Sequence, residues 1–359
     1  MSFNRIAVLG LGKVGHLAAE LLASSGFTVT GIDARETSAD FATKTVDLGN
    51  PEALRAALAG QEAVLSCLPY HLNIGVSTVA HALGLHYFDL TEDVPTTKHI
   101  RELAKTAKGL MAPQCGLAPG FVGVVAADLA GQFETVRSIK LRVGALPQHP
   151  TGLLGYAFNW SPEGVVNEYL NDCEVIEEGV LKTVSAMEWT ETIFIDGMQL
   201  EAFTTSGGLG TMCETYLGRI ENLDYKTMRY PGHVKLMNFF FHELLMRENR
   251  AEAGRILTHA KPPVDDDVVY LHVAAEGRVN GQMRRREFVR SYYPLEIGGK
   301  SRTAIAWTTS AAVVAVIELV RAGVLPSQGF LKQEDIPLAP FFGTPTGNLY
   351  RIGHRARHA

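Results

Sequence analysis

The chain has 359 residues, 46% of them apolar and 20% charged, with a net charge of −5. That length holds two domains of ordinary size, and weak acidity with no Lys/Arg run among aromatics argues against nucleic acid as a partner. Cys67, Cys115, Cys173 and Cys213 stand far apart with no CxxC pair and no His at ligand spacing, so no metal site is expected and the thiols read as reduced, in a cytoplasmic protein.

The first strand begins by about residue 5, which leaves no room for a signal peptide. An apolar run at residues 6–9 leads into Gly10-Leu11-Gly12-Lys13-Val14-Gly15, then a helical pattern, then a β-rich run that ends on Asp33. This is the order of a dinucleotide-binding unit. Gly10 permits the tight turn, Gly12 lets backbone approach a pyrophosphate, and Gly15 lets helix pack on strand. The helix N-terminus offers free N–H groups and a positive dipole end to the same pyrophosphate. Asp33 can accept hydrogen bonds from both adenosine ribose hydroxyls and would repel a 2′-phosphate, so NAD is expected over NADP; Arg35 keeps NADP in view.

The α/β alternation continues. Asn50-Pro51 is an N-cap and first-turn pair. Strands are expected at 63–66, 86–90 and 109–113, and helices at 71–83 and 95–107. Strands alternating with helices predict a parallel, doubly wound sheet whose ligand lies beyond the carboxyl ends of the strands. The loops that matter are then 10–15, 33–35, 67–71, 90–93 and 115–120. Past residue 121 the pattern changes to long strands. These include 138–146, several between 180 and 205, and a hairpin over 267–277 and 283–297 with Asn280-Gly281 in the turn. Ser161 caps a helix that follows Trp160. The apolar stretch 303–320 nearly spans a bilayer by length. It carries Thr308, Thr309 and Ser310 near its middle and Glu318 in its last turn, so it reads as a buried helix returning to the first domain, not a membrane span. The expected fold class is α/β: an N-terminal Rossmann doubly wound parallel sheet with a second α+β domain of mixed or antiparallel sheet. The expected division is 1–120 plus 301–335, 121–300, and a tail at 336–359 that wraps the surface or a partner subunit.

Several residue groups can be read together: Gly10 to Gly15 with Asp33, Val46-Asp47, Ser66-Cys67-Leu68-Pro69-Tyr70, Tyr87-Phe88-Asp89-Leu90, Gly116-Leu117-Ala118-Pro119-Gly120, Trp160 to Gly164, and Met228-Arg229-Tyr230-Pro231-Gly232-His233. In that order and spacing the chain resembles the saccharopine dehydrogenase-like family over nearly its whole length, and within it the lysine 6-dehydrogenases. The resemblance implies NAD(P)-linked oxidation at a carbon bearing nitrogen, and a homodimer. It also implies that Gly10, Gly12, Lys13, Val14 and Gly15 hold the pyrophosphate, with Asp33 on the ribose and Asp47 near the adenine. Ser66, Cys67, Leu68 and Pro69 would run under the nicotinamide ribose, with Gly116, Leu117 and Ala118 beside the nicotinamide. Tyr70 and residues 229–233 would face the substrate. A common form of the GLAPG loop has Asp or Cys where this chain has Leu117-Ala118.

Oxidising the ε-carbon of lysine requires a neutral amine, because an ammonium has no lone pair to stabilise the developing imine. Free amine titrates near ~10.4, so the site needs a base or a dry environment. His71, His233 and Lys235 are the candidates, His233 first, because an imidazole near ~6.5 suits the task. Each also has a plain structural reading: His233 as a helix-start residue, His71 as a cap, Lys235 as a solvated cation. Arg229 and Arg142 are candidates for a clamp on the α-carboxylate. Tyr230, Trp160 and Thr308 are candidates for the substrate wall, and Glu92 and Asp93 could attract its cationic end. Two other functions fit the same residues: an opine-type reductase joining an amine to a carbonyl compound, and an NAD(H)-binding sensor without turnover.

Overall fold

The computed structural model describes residues 3–354. The chain forms two compact units, one made of Met1–Val124 with Ala306–Ile352 and the other of Val125–Ile305.

The first unit is built on β1 (Arg5–Leu9), β2 (Thr28–Asp33), β3 (Ala42–Thr45), β4 (Ala63–Ser66), β5 (His86–Asp89) and β6 (Leu110–Ala112). They lie side by side in the order β6-β5-β4-β1-β2-β3, all parallel, and a short strand, Gly329–Phe330, extends the β6 edge. The order reverses direction at β1, which sets the ligand crevice beyond the carboxyl ends of β1 and β4. The central strands are buried along their length, as a sheet covered on both faces requires. Helix boundaries follow local chemistry. Asn50 Oδ1 accepts from the N–H groups of Glu52 and Ala53 at 3.0 and 3.1 Å and opens Pro51–Leu58. Gly84, at φ 72°, closes Tyr70–Leu83.

The apolar helix Ala304–Arg321 returns to this unit as expected, with Trp307, Ala311 and Val313 fully buried. Its one acid, Glu318, is buried too, and accepts from Ser25 Oγ and from Thr346 Oγ1. The expectation of a separate tail from residue 336 is corrected. Residues up to 352 belong to the first unit, where Phe341 and Tyr350 are core residues. Tyr350 stacks on Phe121 at 3.9 Å and donates to the Thr308 carbonyl. Two aromatic anchors in a short segment outweigh its Gly- and Pro-rich composition.

The second unit holds β7 (Thr135–Pro147), β8 (Cys173–Glu177), β9 (Val180–Val184), β10 (Glu191–Ile195), β11 (Met198–Thr204), β12 (Asn222–Arg229), β13 (Asp267–Val279) and β14 (Gln282–Tyr292). The order is β10-β11-β12-β7-β13-β14, with β8 and β9 attached to β12. Only the β7–β12 pairing is parallel, so the sheet is mixed. Asn280 and Gly281, at φ 51° and 73°, make the predicted tight turn between β13 and β14. Ser161 Oγ caps Pro162–Leu170 by accepting from Gly164 N–H at 3.0 Å. The core of this unit gathers Tyr156, Phe158, Tyr169, Phe203, Tyr230 and Phe241. The helix His233–Asn238 opens at the residue read as a helix start, and a further helix, Arg250–Ala260, lies where the strand-dominated reading placed none.

Candidate functional site

In the first unit the glycine turn has the geometry a pyrophosphate needs. Gly10 sits at φ 84°, and a Cβ there would lie 2.9 Å from the Cys67 carbonyl oxygen. A Cβ on Gly15 would lie 1.9 Å from the Gly10 carbonyl oxygen, so helix and turn touch backbone to backbone. Gly12 differs: nothing lies within 4 Å of the place its Cβ would take. It is the N-cap of Lys13–Ser24 and supplies no side-chain bond, so the first helical N–H groups face open space beside Gly12 and the exposed Lys13. Asp33 closes the crevice. Its Oδ2 accepts from Leu11 N–H at 2.7 Å and its Oδ1 from Arg35 N–H at 2.9 Å, while the Arg35 guanidinium is 3.8 Å away and largely exposed. These residues fit a dinucleotide. Asp47 is exposed and its Oδ1 accepts from Gly49 N–H at 3.0 Å, which shapes the turn ahead of Pro51–Leu58.

Beyond the carboxyl ends of β4, β5 and β6 lie the other loops. Ser66 is buried and donates to Asn73 Oδ1 at 2.6 Å. Cys67 follows it, its thiol pushed up to about 12 by burial and by the Asp89 charge, so thiolate chemistry is not its task. Leu68 and Pro69 then lead into Tyr70, the first residue of its helix, and His71 is exposed on that helix. Asp89 is fully buried. Its carboxylate accepts from Tyr87 Oη at 2.7 Å and from the N–H groups of Thr91 and Gln114 at 3.0 Å. Burial nonetheless raises it to about 6. Asp89 therefore ties together the loops that follow β5 and β6. Gln114, at φ 63°, turns the chain into Gly116, and Phe121 N–H returns to the Gly116 carbonyl at 2.8 Å. Leu117 is buried and Ala118 half-buried. A Cβ on Gly116 would meet Leu90 Cδ2 and Thr309 Cγ2, each at 3.6 Å. The expectation for Thr308 is thereby corrected. Thr308 is fully buried and its backbone carbonyl accepts from Tyr350 Oη, whereas its neighbour Thr309 borders the Gly116 loop.

In the second unit the RYPGH segment makes a buried chain of bonds. Arg229 Nε donates to Tyr169 Oη at 2.8 Å, and Tyr169 Oη lies 3.1 Å from His233 Nε2. His233 Nδ1 lies 3.0 Å from the Leu154 carbonyl, which can only accept, so Nδ1 carries the proton and Nε2 accepts from Tyr169. This corrects the expectation that His233 is the base. Both ring nitrogens are engaged, and burial with the Arg229 charge lowers the imidazole to about 3. The Arg229 guanidinium is buried, 4.6 Å above the Tyr156 ring, and its Nη1 donates to the Met228 carbonyl. No carboxylate lies at ion-pair distance from it among the described residues; the nearby charge that favours its protonated form, besides the Tyr156 and Tyr169 phenols, is that of buried Glu168. Tyr230 is tied by its hydroxyl to the Pro147 carbonyl at 2.8 Å.

Other expectations fare differently. Arg142 is buried between Glu191 and Asp224, the latter at 2.7 Å, with Lys226 Nζ 3.2 Å from Glu191. A guanidinium already neutralised by two acids cannot clamp a substrate carboxylate, so that role is withdrawn from Arg142. Trp160 is half-buried against the unit's core. Lys235 is exposed and lines a cavity of about 900 Å³ with Tyr169, Met187 and Asn238.

The state of His233 carries a consequence for stability. An unfolded chain takes up a proton at this imidazole below ~6.5, whereas the folded chain refuses it until about 3. The group's contribution is full above ~6.5 and is lost as pH falls through that window. Urea melts of His233→Gln should therefore lose ground to wild type least at low pH: the stability difference should shift in the variant's favour as pH falls from neutral toward about 4. A pH-independent difference would mean that the imidazole titrates as in the unfolded chain.

A family model described as Saccharopine dehydrogenase NADP binding domain matches residues 6–112, and one described as Saccharopine dehydrogenase C-terminal domain matches residues 116–345. The mitochondrial alpha-aminoadipic semialdehyde synthase of Mus musculus is 24% identical over 258 residues, 66% of this chain and 28% of that protein. A saccharopine dehydrogenase (NADP(+), L-glutamate-forming) of Pyricularia oryzae is 23% identical over 250 residues, 65% of this chain and 56% of that one. The chain thus spans between about a quarter and about half of the length of these relatives. Among solved structures, the apo saccharopine dehydrogenase (L-Glu forming) of Saccharomyces cerevisiae matches with a TM-score of 0.75 at 17% identity, covering 98% of both chains. An engineered D-amino acid dehydrogenase bound to NADP+ matches at 0.51 and 11%, covering 100% of both. At such identities the likeness is one of fold.

Proposed function

Because the chain belongs to the saccharopine dehydrogenase-like family, we propose that it is an NAD(P)-linked oxidoreductase acting on an amino acid at a carbon that bears nitrogen. The specific reaction we propose is oxidation of the ε-amine of L-lysine with NAD. The products are ammonia and 2-aminoadipate 6-semialdehyde, which cyclises to piperideine-6-carboxylate.

The observation that carries this reading is Arg229, a buried guanidinium that bonds a phenol and a carbonyl and lies over ring faces, with the charge of buried Glu168 felt but no carboxylate at ion-pair distance among the described residues. A buried guanidinium with no carboxylate in direct contact gains from a ligand that supplies one, and the α-carboxylate of an amino acid does so. With Arg142 consumed by Glu191 and Asp224, one such anchor remains of the two anticipated, which favours a substrate with a single carboxylate. Asp33, with a carboxylate at the ribose position, favours NAD. When bound, the nicotinamide accepts the hydride released from the carbon. The protein's part is to hold the carboxylate, to take a proton from the ammonium, and to admit the water that converts the imine to aldehyde.

The second reading is an opine-type saccharopine dehydrogenase using NADP, which the names of the relatives and of the first-domain family model favour. The two separate in one experiment that follows NADH or NADPH absorbance with L-lysine, ornithine and saccharopine against both cofactors. Turnover of lysine with NAD and release of ammonia supports the first; turnover of saccharopine alone supports the second. Tight NADH binding with no turnover of any amino acid would overturn both and leave a sensor. Asp33→Asn keeps an acceptor for Leu11 N–H and removes the charge. Its KM for NAD should rise about tenfold or more, as expected for lost hydrogen bonds to a charged group, while the preference over NADP narrows. An unchanged NAD/NADP ratio would overturn the ribose assignment.

A further inference from the structure

We propose that the carboxylate of Glu92 is the group that takes the proton from the substrate's ammonium, a role that rests on the amine-oxidation reading above. Glu92 lies in the loop 90–93 that leaves the carboxyl end of β5, on the side where an open parallel sheet binds its ligand. Leu90 of the same loop touches the position of the Gly116 Cβ, so the loop runs beside the segment assigned to the nicotinamide.

The acids of this loop have separate tasks. Asp89 is spent on Tyr87, Thr91 and Gln114. Asp93 is spent on its own helix, where Oδ2 accepts from Thr96 N–H and Thr96 Oγ1 at 2.9 and 2.7 Å. Asp93 N–H in turn donates to Thr91 Oγ1 at 3.2 Å, so the backbone on both sides of Glu92 is pinned. Glu92 is half-buried, and its carboxylate meets no donor beyond its own N–H among the described residues. A carboxylate held by a rigid loop and left without a partner is available to a ligand. It is also not an ordinary carboxylate, because burial first, and then the neighbouring charges of Asp93 and Asp89, push it up to about 7.

The height of that value matters. A glutamate near ~4.3 and an alkyl amine near ~10.4 are too far apart for ready transfer. Desolvation lifts the acid and lowers the amine together, so the two approach each other. In the step proposed, an N–H bond of the ammonium breaks and an O–H bond forms on Glu92. The freed nitrogen lone pair then forms the C=N bond as hydride leaves the carbon for the oxidised nicotinamide. Water adds to that carbon, and the C–N bond breaks to release ammonia. The other expected bases do not compete: His233 has no free nitrogen, Lys235 is an exposed cation, and His71 lies on the exposed face of its helix.

The test compares wild type, Glu92→Gln and Glu92→Ala, with lysine and the other amines as substrates. Wild type should show a rising limb of kcat/KM near neutral pH. Glu92→Gln should bind NADH as wild type does, lose kcat by a factor of about a thousand, the upper part of what general-base catalysis supplies, and lose the limb. Formate should restore part of the rate to Glu92→Ala and none to Glu92→Gln, a result that a merely structural role would not produce. If wild type turns over no amine, the oxidation reading falls and this role with it. If wild type turns over lysine while Glu92→Gln keeps kcat within threefold and retains the limb, Glu92 alone is overturned.

Discussion

Arg229→Ala should lower kcat/KM for carboxylate-bearing substrates by about a hundredfold or more, mostly through KM. Truncating one side of a buried, hydrogen-bonded charge pair costs about 2–5 kcal/mol, and each ~1.4 kcal/mol is a factor of ten. The side chain also stacks over Tyr156 at 4.6 Å and donates to Tyr169, so a fall in thermal stability is expected alongside. Arg229→Lys keeps the charge and tests the two effects separately. It should recover much of the stability but little of the affinity, because an ammonium cannot present a fork to a carboxylate. The decisive comparison uses a diamine of similar length without a carboxylate. Wild type and Arg229→Ala should process it at equal, low efficiency. A variant impaired equally on both substrates would mean that Arg229 acts through packing alone.

Gly15→Ala should disable cofactor binding and destabilise the first unit, whereas Gly12→Ala should affect the cofactor alone. The Cβ at Gly15 would sit 1.9 Å from the Gly10 carbonyl oxygen. That contact is with backbone in a turn at φ 84°, so it cannot be relieved by a rotamer change. Forcing it costs at least the ~1–3 kcal/mol typical of overpacking, and the displaced turn no longer aims its N–H groups at a pyrophosphate. Gly12 has open space and an extended backbone, φ −71° and ψ −169°, that alanine adopts freely. Thermal melts should separate the two, with Gly12→Ala matching wild type without cofactor and Gly15→Ala melting lower. NADH fluorescence titration should show both weakened. If Gly12→Ala binds NADH normally, the pyrophosphate does not pass over that glycine.

The features legible in the amino-acid order were those whose physics is local. The glycine turn, the caps at Asn50 and Ser161 and the Asn280-Gly281 hairpin each need only neighbouring residues to form, and each stands where its residue types place it. The parallel order of the first sheet follows from alternation, and the mixed second sheet from long strands with few helices between them. Thr308 and Thr309 mark the limit: they differ by about 100° around a helix, and which of them borders the Gly116 loop depends on how the helix is rotated against the sheet.

By itself, then, the sequence determined the family and the nucleotide fold, because a short motif in a set order fixes backbone geometry there. Only the tertiary structure decided which ionisable groups are free to do chemistry. Arg142 and Arg229 are both arginines at the sheet's strands, yet one is neutralised in direct contact by Glu191 and Asp224 and the other has no carboxylate at ion-pair distance among the described residues. His233 and Glu92 differ for the same reason. The histidine's nitrogens are taken by Tyr169 and Leu154, while the glutamate's neighbours are tied up and leave it free. Partners distant in the chain set both the burial and the bonding of a titratable group, and those two quantities govern its proton.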